Sequence, residues 1–218
     1  MPVKTESLVN AIKQMREASP KRKFEQSVDL SITLKGIDPK KQEGRFAEDV
    51  VLSQWTGEPR KILVFADGEL ARRARDAGAD LVMSRRDIEE LQDQRKRVKK
   101  LAADYDFSIA QADFMVMIGK VLGPVLGPRG KMPKPIPPTA DPRALIERLK
   151  RTVRVATKDQ AALHANIGVE SMSDEQLAAN AGAIIEAVER RLGEKGGKVD
   201  AVIIKTTMGK PVRVEVQK

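Results

Sequence analysis

Ile62-Leu-Val-Phe-Ala-Asp-Gly68 is the stretch on which the fold turns. An apolar run of this length, closed by Asp67-Gly68, reads as a short strand and its exit turn. The helical segment Glu69 to Ala77 follows, and Gly78 ends it, because glycine readily takes the left-handed conformation that closes a helix. A second apolar run, Ala79 to Met83, precedes one charged helix from about Arg86 to Ala103, and a third run occupies Phe107 to Ala110. Strand, helix, strand, helix, strand at this spacing predicts a parallel sheet with crossover helices, a Rossmann-like α/β layer. From Gly119 to Pro142 glycine and proline crowd together, above all from Gly123 to Pro133 and in Lys134-Pro-Ile-Pro-Pro138. An ordered loop or hinge is expected there and no regular element. Pro142 opens a helix over Arg143 to Arg151, and Val153-Arg-Val155 leads out as a strand.

Outside this segment the period changes to two. Val28, Leu30, Ile32 and Leu34 alternate with Asp29, Ser31, Thr33 and Lys35, as a strand with one wet face requires. A helix over 5–18 precedes it, opened by Thr5 and Glu6, striped by Leu8, Val9, Ile12 and Met15, and stopped before Pro20. Gly36 to Arg45 is a charged loop and Phe46 to Leu52 a second strand. Past the insert, Ala165, Ile167 and Val169 alternate, and Ser173 with Gln176 forms a capping-box pattern at the head of a helix reaching Leu192. Strands at Val199 to Thr206 and Val212 to Val216 flank Met208-Gly-Lys-Pro211 and need an antiparallel partner, for which the strand at Val28 to Leu34 is the natural choice. The expected fold is α+β and α/β in two domains. Residues 1–60 and 153–218 form a discontinuous outer domain of split β-α-β type, and residues 61–152 an inserted Rossmann-like domain. Trp55 and Tyr105 read as packing groups.

Charge narrows the partners. Forty Lys and Arg against 31 Asp and Glu leave a net charge of +9, so an anionic partner is expected. It is unevenly placed: from Lys120 to Lys158 ten basic residues face two acids, and from Lys195 to Lys218 six face two, giving +8 and +4. In the segment from Arg85 to Lys100, Asp87, Glu89, Glu90 and Asp93 offset most of Arg95 to Lys100, which favours a solvated helix face laced with ion pairs over a binding stripe. Aromatics are only 3% of the chain, which argues against stacking single-stranded bases and for a folded RNA held through backbone, 2′-hydroxyls and shape.

The same composition removes most catalytic chemistry. With no cysteine there is no disulfide, thiolate zinc site or thiol nucleophile, and one histidine, His164, cannot build a His-rich metal cluster. Gly127-Pro-Arg-Gly130-Lys131 misses the phosphate-loop spacing and has Met132 where a hydroxyl is needed. The first turn of the insert, Ala66-Asp67-Gly68-Glu69, lacks the glycine cradle of a dinucleotide site. No nucleophile turn accompanies His164, although Ser171 or Ser173 could pair with it. Neither enzyme activity nor a cofactor or metal is expected. The apolar runs are far shorter than the roughly 18 residues that span a bilayer, and the N-terminus shows no apolar signal region, so a cytoplasmic protein without membrane contact is expected.

Met117-Ile-Gly-Lys-Val-Leu-Gly-Pro-Val-Leu-Gly-Pro-Arg-Gly-Lys-Met-Pro-Lys134 resembles the signature of the family of large-subunit ribosomal protein one. Lys23-Phe24, His164-Ala-Asn-Ile-Gly168 and Thr206-Thr-Met-Gly209 fall in that family's order and spacing, and the resemblance covers essentially the whole chain. The wording Gly130-Lys-Met-Pro-Lys-Pro-Ile-Pro-Pro138 resembles the archaeal branch. The resemblance implies a split outer domain with an inserted Rossmann-like domain, joined through two crossing strands as a hinge. It implies a structural constituent of the large subunit, monomeric within the ribosome, that grips the mobile rRNA stalk beside the exit-site tRNA. Support for release of deacylated tRNA and repression of its own mRNA are implied as well.

The RNA-binding residues carried over are Glu6, Lys23, Phe24, Ser27, His164, Gly168, Thr206, Thr207, Met208 and Gly209. Threonine hydroxyls suit 2′-hydroxyls, Gly209 would let a backbone come close, Phe24 and Met208 would offer apolar contact, and Lys23 would meet phosphate. Ser27 stands where the family often has threonine and keeps the hydroxyl. Gly123, Gly127, Pro128, Arg129, Gly130, Lys131 and Pro133 belong to the signature and hinge loop, whose cations Arg129, Lys131 and Lys134 either meet RNA or fix the hinge. Two other readings are a nucleotide- or metabolite-binding α/β enzyme using the insert, and a DNA-binding regulator. The first lacks its glycine fingerprint, and the second lacks a recognition helix free of acids.

Overall fold

The computed structural model describes residues 5–20, 22–38, 47–54, 57, 60–92, 94–157, 160–193 and 196–215. In chain order the elements are α1 (Thr5–Ala18), β1 (Ser27–Lys35), β2 (Ala47–Val51), β3 (Ile62–Phe65), α2 (Gly68–Asp76) and β4 (Leu81–Met83). They continue with α3 (Arg85–Glu90), α4 (Arg95–Asp104), β5 (Phe107–Gln111), α5 (Met115–Val121), α6 (Gly123–Leu126), β6 (Lys134–Ile136) and α7 (Pro142–Lys150). The chain ends through β7 (Thr152–Ala156), β8 (Ala162–Val169), α8 (Asp174–Gly193), β9 (Lys198–Thr206) and β10 (Val212–Val214). These elements fall into two compact units. One holds the described residues up to Gly57 with those from Arg151 onward, and the other runs from Arg60 to Lys150. Trp55 and Phe46 lie outside the described residues.

The terminal unit is an antiparallel sheet in the order β10-β9-β1-β8, with β2 and β7 pairing separately. β1 buries Val28, Leu30, Ile32 and Leu34, and the same core takes Leu8, Ile12 and Met15 from α1 and Leu177, Ala181, Ile184 and Val188 from α8. Burying each such Leu or Ile contributes about 1.5–3 kcal/mol, so the two helices are held to the sheet by their apolar stripes more than by propensity. α8 starts as its sequence predicts: the Ser173 amide donates to Gln176 Oε1 at 3.1 Å and the Gln176 amide to Ser173 Oγ at 3.3 Å.

One irregularity shapes this sheet. β1 and β8 shift register between Val28↔Gly168 and Asp29↔Asn166, which leaves Ile167 as the extra residue of a bulge. Its carbonyl accepts a hydrogen bond at 2.9 Å from Nδ2 of Asn180, a fully buried amide on α8, and the Gln54 amide donates to Asn180 Oδ1 at 3.1 Å. A buried polar group satisfied on both sides in this way fixes the bulge.

The inserted unit is a parallel sheet in the order β4-β3-β5-β6. β3 is buried at all four positions, as a central strand covered on both faces must be. Phe65, Ile88, Val98 and Ile118 pack on one side of it, and Leu70, Ala74, Ile146 and Leu149 on the other. Two expectations are corrected here. The charged segment is two helices, because Ser84 and Asp87 form a capping box that starts α3 and the chain breaks at Leu91, which is buried. The Gly/Pro-rich stretch does hold regular structure: Pro124 sits in the first turn of α6, where its missing N–H costs nothing, and β6 is an edge strand that tolerates Pro135.

Candidate nucleic-acid interface

The end of α1, the entry to β1, the exit of β8 and the β9–β10 turn converge at one edge of the terminal unit, and buried polar bonds hold them together. Gln26 is fully buried. Its Nε2 donates at 3.3 Å to the Pro20 carbonyl and at 3.3 Å to Glu170 Oε2, while its Oε1 accepts from the Met208 amide at 3.2 Å. Ser19 Oγ and Thr206 Oγ1 share a hydrogen bond of 2.9 Å, and Arg16 reaches the carbonyls of Glu170 and Met172 and, at 2.7 Å, Asp174. Above this layer Ser27 Oγ and Thr207 Oγ1 share a bond of 2.9 Å, and the Thr207 amide donates to the Ser27 carbonyl at 3.0 Å.

The resulting surface is unusual for a wet edge. Phe24 is 54% exposed and Met208 56% exposed, in segments that Gln26 ties together. Lys23 is exposed beside Phe24 and Thr207 beside Met208. Apolar groups presented on a fixed polar frame, next to a cation and hydroxyls, are suited to sugar and base faces beside phosphate.

The sequence-predicted residues divide into two sets here. Lys23, Phe24, Ser27, Thr207 and Met208 form the surface. Thr206 is fully buried and its hydroxyl is engaged by Ser19, so it supports the surface from below. Gly209 also faces inward: a Cβ there would strike Thr206 Oγ1 and come within 2.5 Å of Ser19 Oγ. Its smallness serves the protein's own packing rather than an approaching backbone. Gly168 is likewise internal, since a Cβ would collide with Met172 Sδ and lie 2.7 Å from Leu177 Cδ2.

His164 stands farther along β8 on the open sheet face, sharing a bond of 2.7 Å with Ser31 rather than with Ser171 or Ser173. Asp29 lies on that face too, where burial pushes its carboxyl above the ordinary value, against the opposing pull of Lys205 and His164. Glu6 is exposed in the first turn of α1, about 20 Å along the helix axis from Ser19, and is not part of the cluster. The residues that sequence reasoning missed are Gln26, Ser19 and Arg16. Gln26 carried a signal: it shares the even-numbered phase of Val28, Leu30, Ile32 and Leu34, so a buried amide was implied.

The signature loop lies in the other unit. Gly130 has φ +66°, a conformation suited to glycine, and a Cβ on Gly127 would lie 2.8 Å from the Gly123 carbonyl oxygen. Pro133 is buried and Pro128 exposed. Lys131 turns inward, its Nζ donating to the carbonyls of Ala102 at 3.0 Å and Tyr105 at 2.7 Å, and Arg129 donates to the Lys99 carbonyl at 3.3 Å. Tyr105 packs against the core, and Lys134 Nζ lies 6.0 Å from the Phe107 ring centroid. Among the described residues no group of His, Asp and Glu is arranged to hold a metal ion, and no helix is long and apolar enough to cross a membrane.

Comparison with known proteins decides the relationship. The profile of the ribosomal protein L1p/L10e family matches residues 13–210. The chain belongs to that family. Its relatives include the large ribosomal subunit protein uL1 of Methanothermobacter thermautotrophicus, 45% identical over 209 residues, covering 96% of this chain and 99% of the relative. The uL1 proteins of Methanopyrus kandleri and Archaeoglobus fulgidus are each 44% identical over 214 residues, covering 98% of this chain and all of the relative. This is therefore an L1-family ribosomal protein of archaeal type, and the candidate surface from Lys23 to Met208 lies within the residues that the family profile matches.

Proposed function

We propose that this L1-family chain is a non-enzymatic constituent of the large subunit of the cytoplasmic ribosome that grips the stalk rRNA through the terminal unit. Supporting the release of deacylated tRNA as the stalk moves, and repressing its own mRNA through a site that mimics the stalk, extend the same reading. The observation that carries it is the exposure of two large apolar side chains, Phe24 and Met208, on segments that the buried Gln26 ties together. Exposing such groups is unfavourable unless a partner covers them.

Two substitutions separate the surface from its support. Met208→Glu places a negative charge at an exposed site, so it should weaken binding to a transcribed stalk fragment by roughly 1–3 kcal/mol and leave the melting temperature unchanged. Gly209→Val should instead lower the melting temperature, because its side chain meets Ser19 and Thr206. Binding titrations against the stalk fragment and an unrelated structured RNA, with a thermal melt of each variant, check both. Unchanged stalk affinity in Met208→Glu would move the interface elsewhere.

A further inference from the structure

We propose that α4 is a second RNA-binding surface, one that takes the phosphate backbone of a double-helical RNA and that the signature loop holds in place. It lies in the inserted unit, so it does not depend on the interface around Met208.

The break between α3 and α4 separates charges that the sequence places side by side. Asp87, Glu89 and Glu90 belong to α3, whereas α4 opens with Arg95-Lys-Arg-Val-Lys-Lys100 and has no acid in its first turn. Arg97 lies near Asp87, and the one acid of α4 itself, Asp104, stands a turn beyond Lys100 at the far end of the helix. Asp87 is held below the ordinary carboxylate range first by its hydrogen bonds to Ser84, with Arg97 adding a smaller pull. Arg95, Lys96, Lys99 and Lys100 are all exposed, and among the described residues none of the four is in an ion pair. Val98 and Ala102 face the core, so these four cover the wet side of the helix.

The arrangement works against the helix itself. Cations in the first turn oppose the helix dipole, and Arg95 with Lys99 and Lys96 with Lys100 are like charges four residues apart. Gln94 at the cap position makes no side-chain cap bond to offset this. The insert secures the helix from its other side instead: Lys131 holds the Ala102 and Tyr105 carbonyls and Arg129 holds that of Lys99, which brings one more cation to the patch. A positive helix end and a cluster of cations are jointly complementary to phosphate. The patch lacks an exposed aromatic ring, which favours a duplex backbone over splayed bases.

The test uses the full chain and a quadruple variant, Arg95→Gln, Lys96→Gln, Lys99→Gln and Lys100→Gln, with Met208→Glu as the control. Each is titrated across a salt series with a generic RNA duplex of about 20 base pairs, the stalk fragment and polyglutamate. The quadruple variant should lose about tenfold or more in duplex affinity at low salt, with the slope of log affinity against log salt shallower by about 3. Its low-salt melting temperature should stay level or rise, because like-charge repulsion is removed. Met208→Glu should keep duplex binding and lose the stalk, so failure of one interface is distinguishable from failure of the other. Unchanged duplex affinity and slope in the folded quadruple variant overturn the proposal. So does wild-type binding of polyglutamate as tight as that of the duplex, which would make α4 a face for acidic protein. If the quadruple variant does not fold, Lys96→Gln with Lys100→Gln is read by the same criteria at half the slope change.

Discussion

Asp29 shows how a single residue on the open sheet face registers its surroundings. Burial raises its pKa from 3.8 while Lys205 and His164 oppose the rise, and across the strand pair Asn166 Oδ1 is buried without a hydrogen-bond partner among the described residues. A raised carboxyl binds its proton more tightly in the folded chain than in the unfolded one. Folding stability therefore falls as pH rises from 3.8 through the folded value, and stays lower above it. Asp29→Asn removes the charge and supplies an amide donor facing Asn166. We expect its melting temperature at pH 7 to exceed wild type by about 1–3 °C, with the gain fading as the pH falls toward 3.8, as melts across that range would show. At this scale the sequence is read well for exposed groups and poorly for internal ones. Phe24 and Met208, which the resemblance singles out, are exposed. Thr206 and Gly209 belong to the same motif, yet their neighbour Ser19 lies 187 residues from Thr206 in the chain, and no local pattern announces that contact.

Elements were legible wherever a period ran long enough to be counted. α1, β1 and α8 lie within a residue or so of their expected bounds, because an apolar stripe or a strict alternation fixes each one. The misreadings fall on short elements whose ends are set by capping and tertiary bonds. The boundary between α3 and α4 follows from the Ser84–Asp87 box and the burial of Leu91, and β6 exists because β5 offers it an edge. Lys131 is the same kind of residue. Its ammonium sits on carbonyls at the end of α4, a charge-assisted arrangement that the helix dipole favours. Lys131→Met keeps much of the stem and removes both hydrogen bonds, so it should cost roughly 1–3 kcal/mol. Denaturant titration reads the loss, and hydrogen exchange should place it at residues 99–105 and the loop beside them. Uniform exchange across the insert would mean that Lys131 does not anchor α4.

The two units of the molecule are divided by their cores as much as by their sheets. The terminal core draws on both chain ends, while the two cores of the insert use only residues within it. The chain leaves and re-enters the terminal unit at one place: Val51 pairs with Thr152 and the Leu52 amide donates to the Arg151 carbonyl at 2.8 Å. An insert entered and left through adjacent strands imposes little on the register of the sheet that carries it. Replacing residues 60–150 by a Gly/Ser linker of about eight residues, which spans about 15 Å, should therefore leave the terminal unit folded. We expect the shortened chain to unfold in one cooperative step and to bind the stalk fragment within about threefold of the full chain. Its affinity for a generic RNA duplex should fall as far as it does in the quadruple α4 variant, because the cations of α4 leave with the insert. A shortened chain that melts cooperatively but has lost the stalk fragment would show that the Phe24 and Met208 surface is not self-contained. Retention of full duplex affinity would instead trace that binding to the terminal unit, whose basic last strands would then be the place to look.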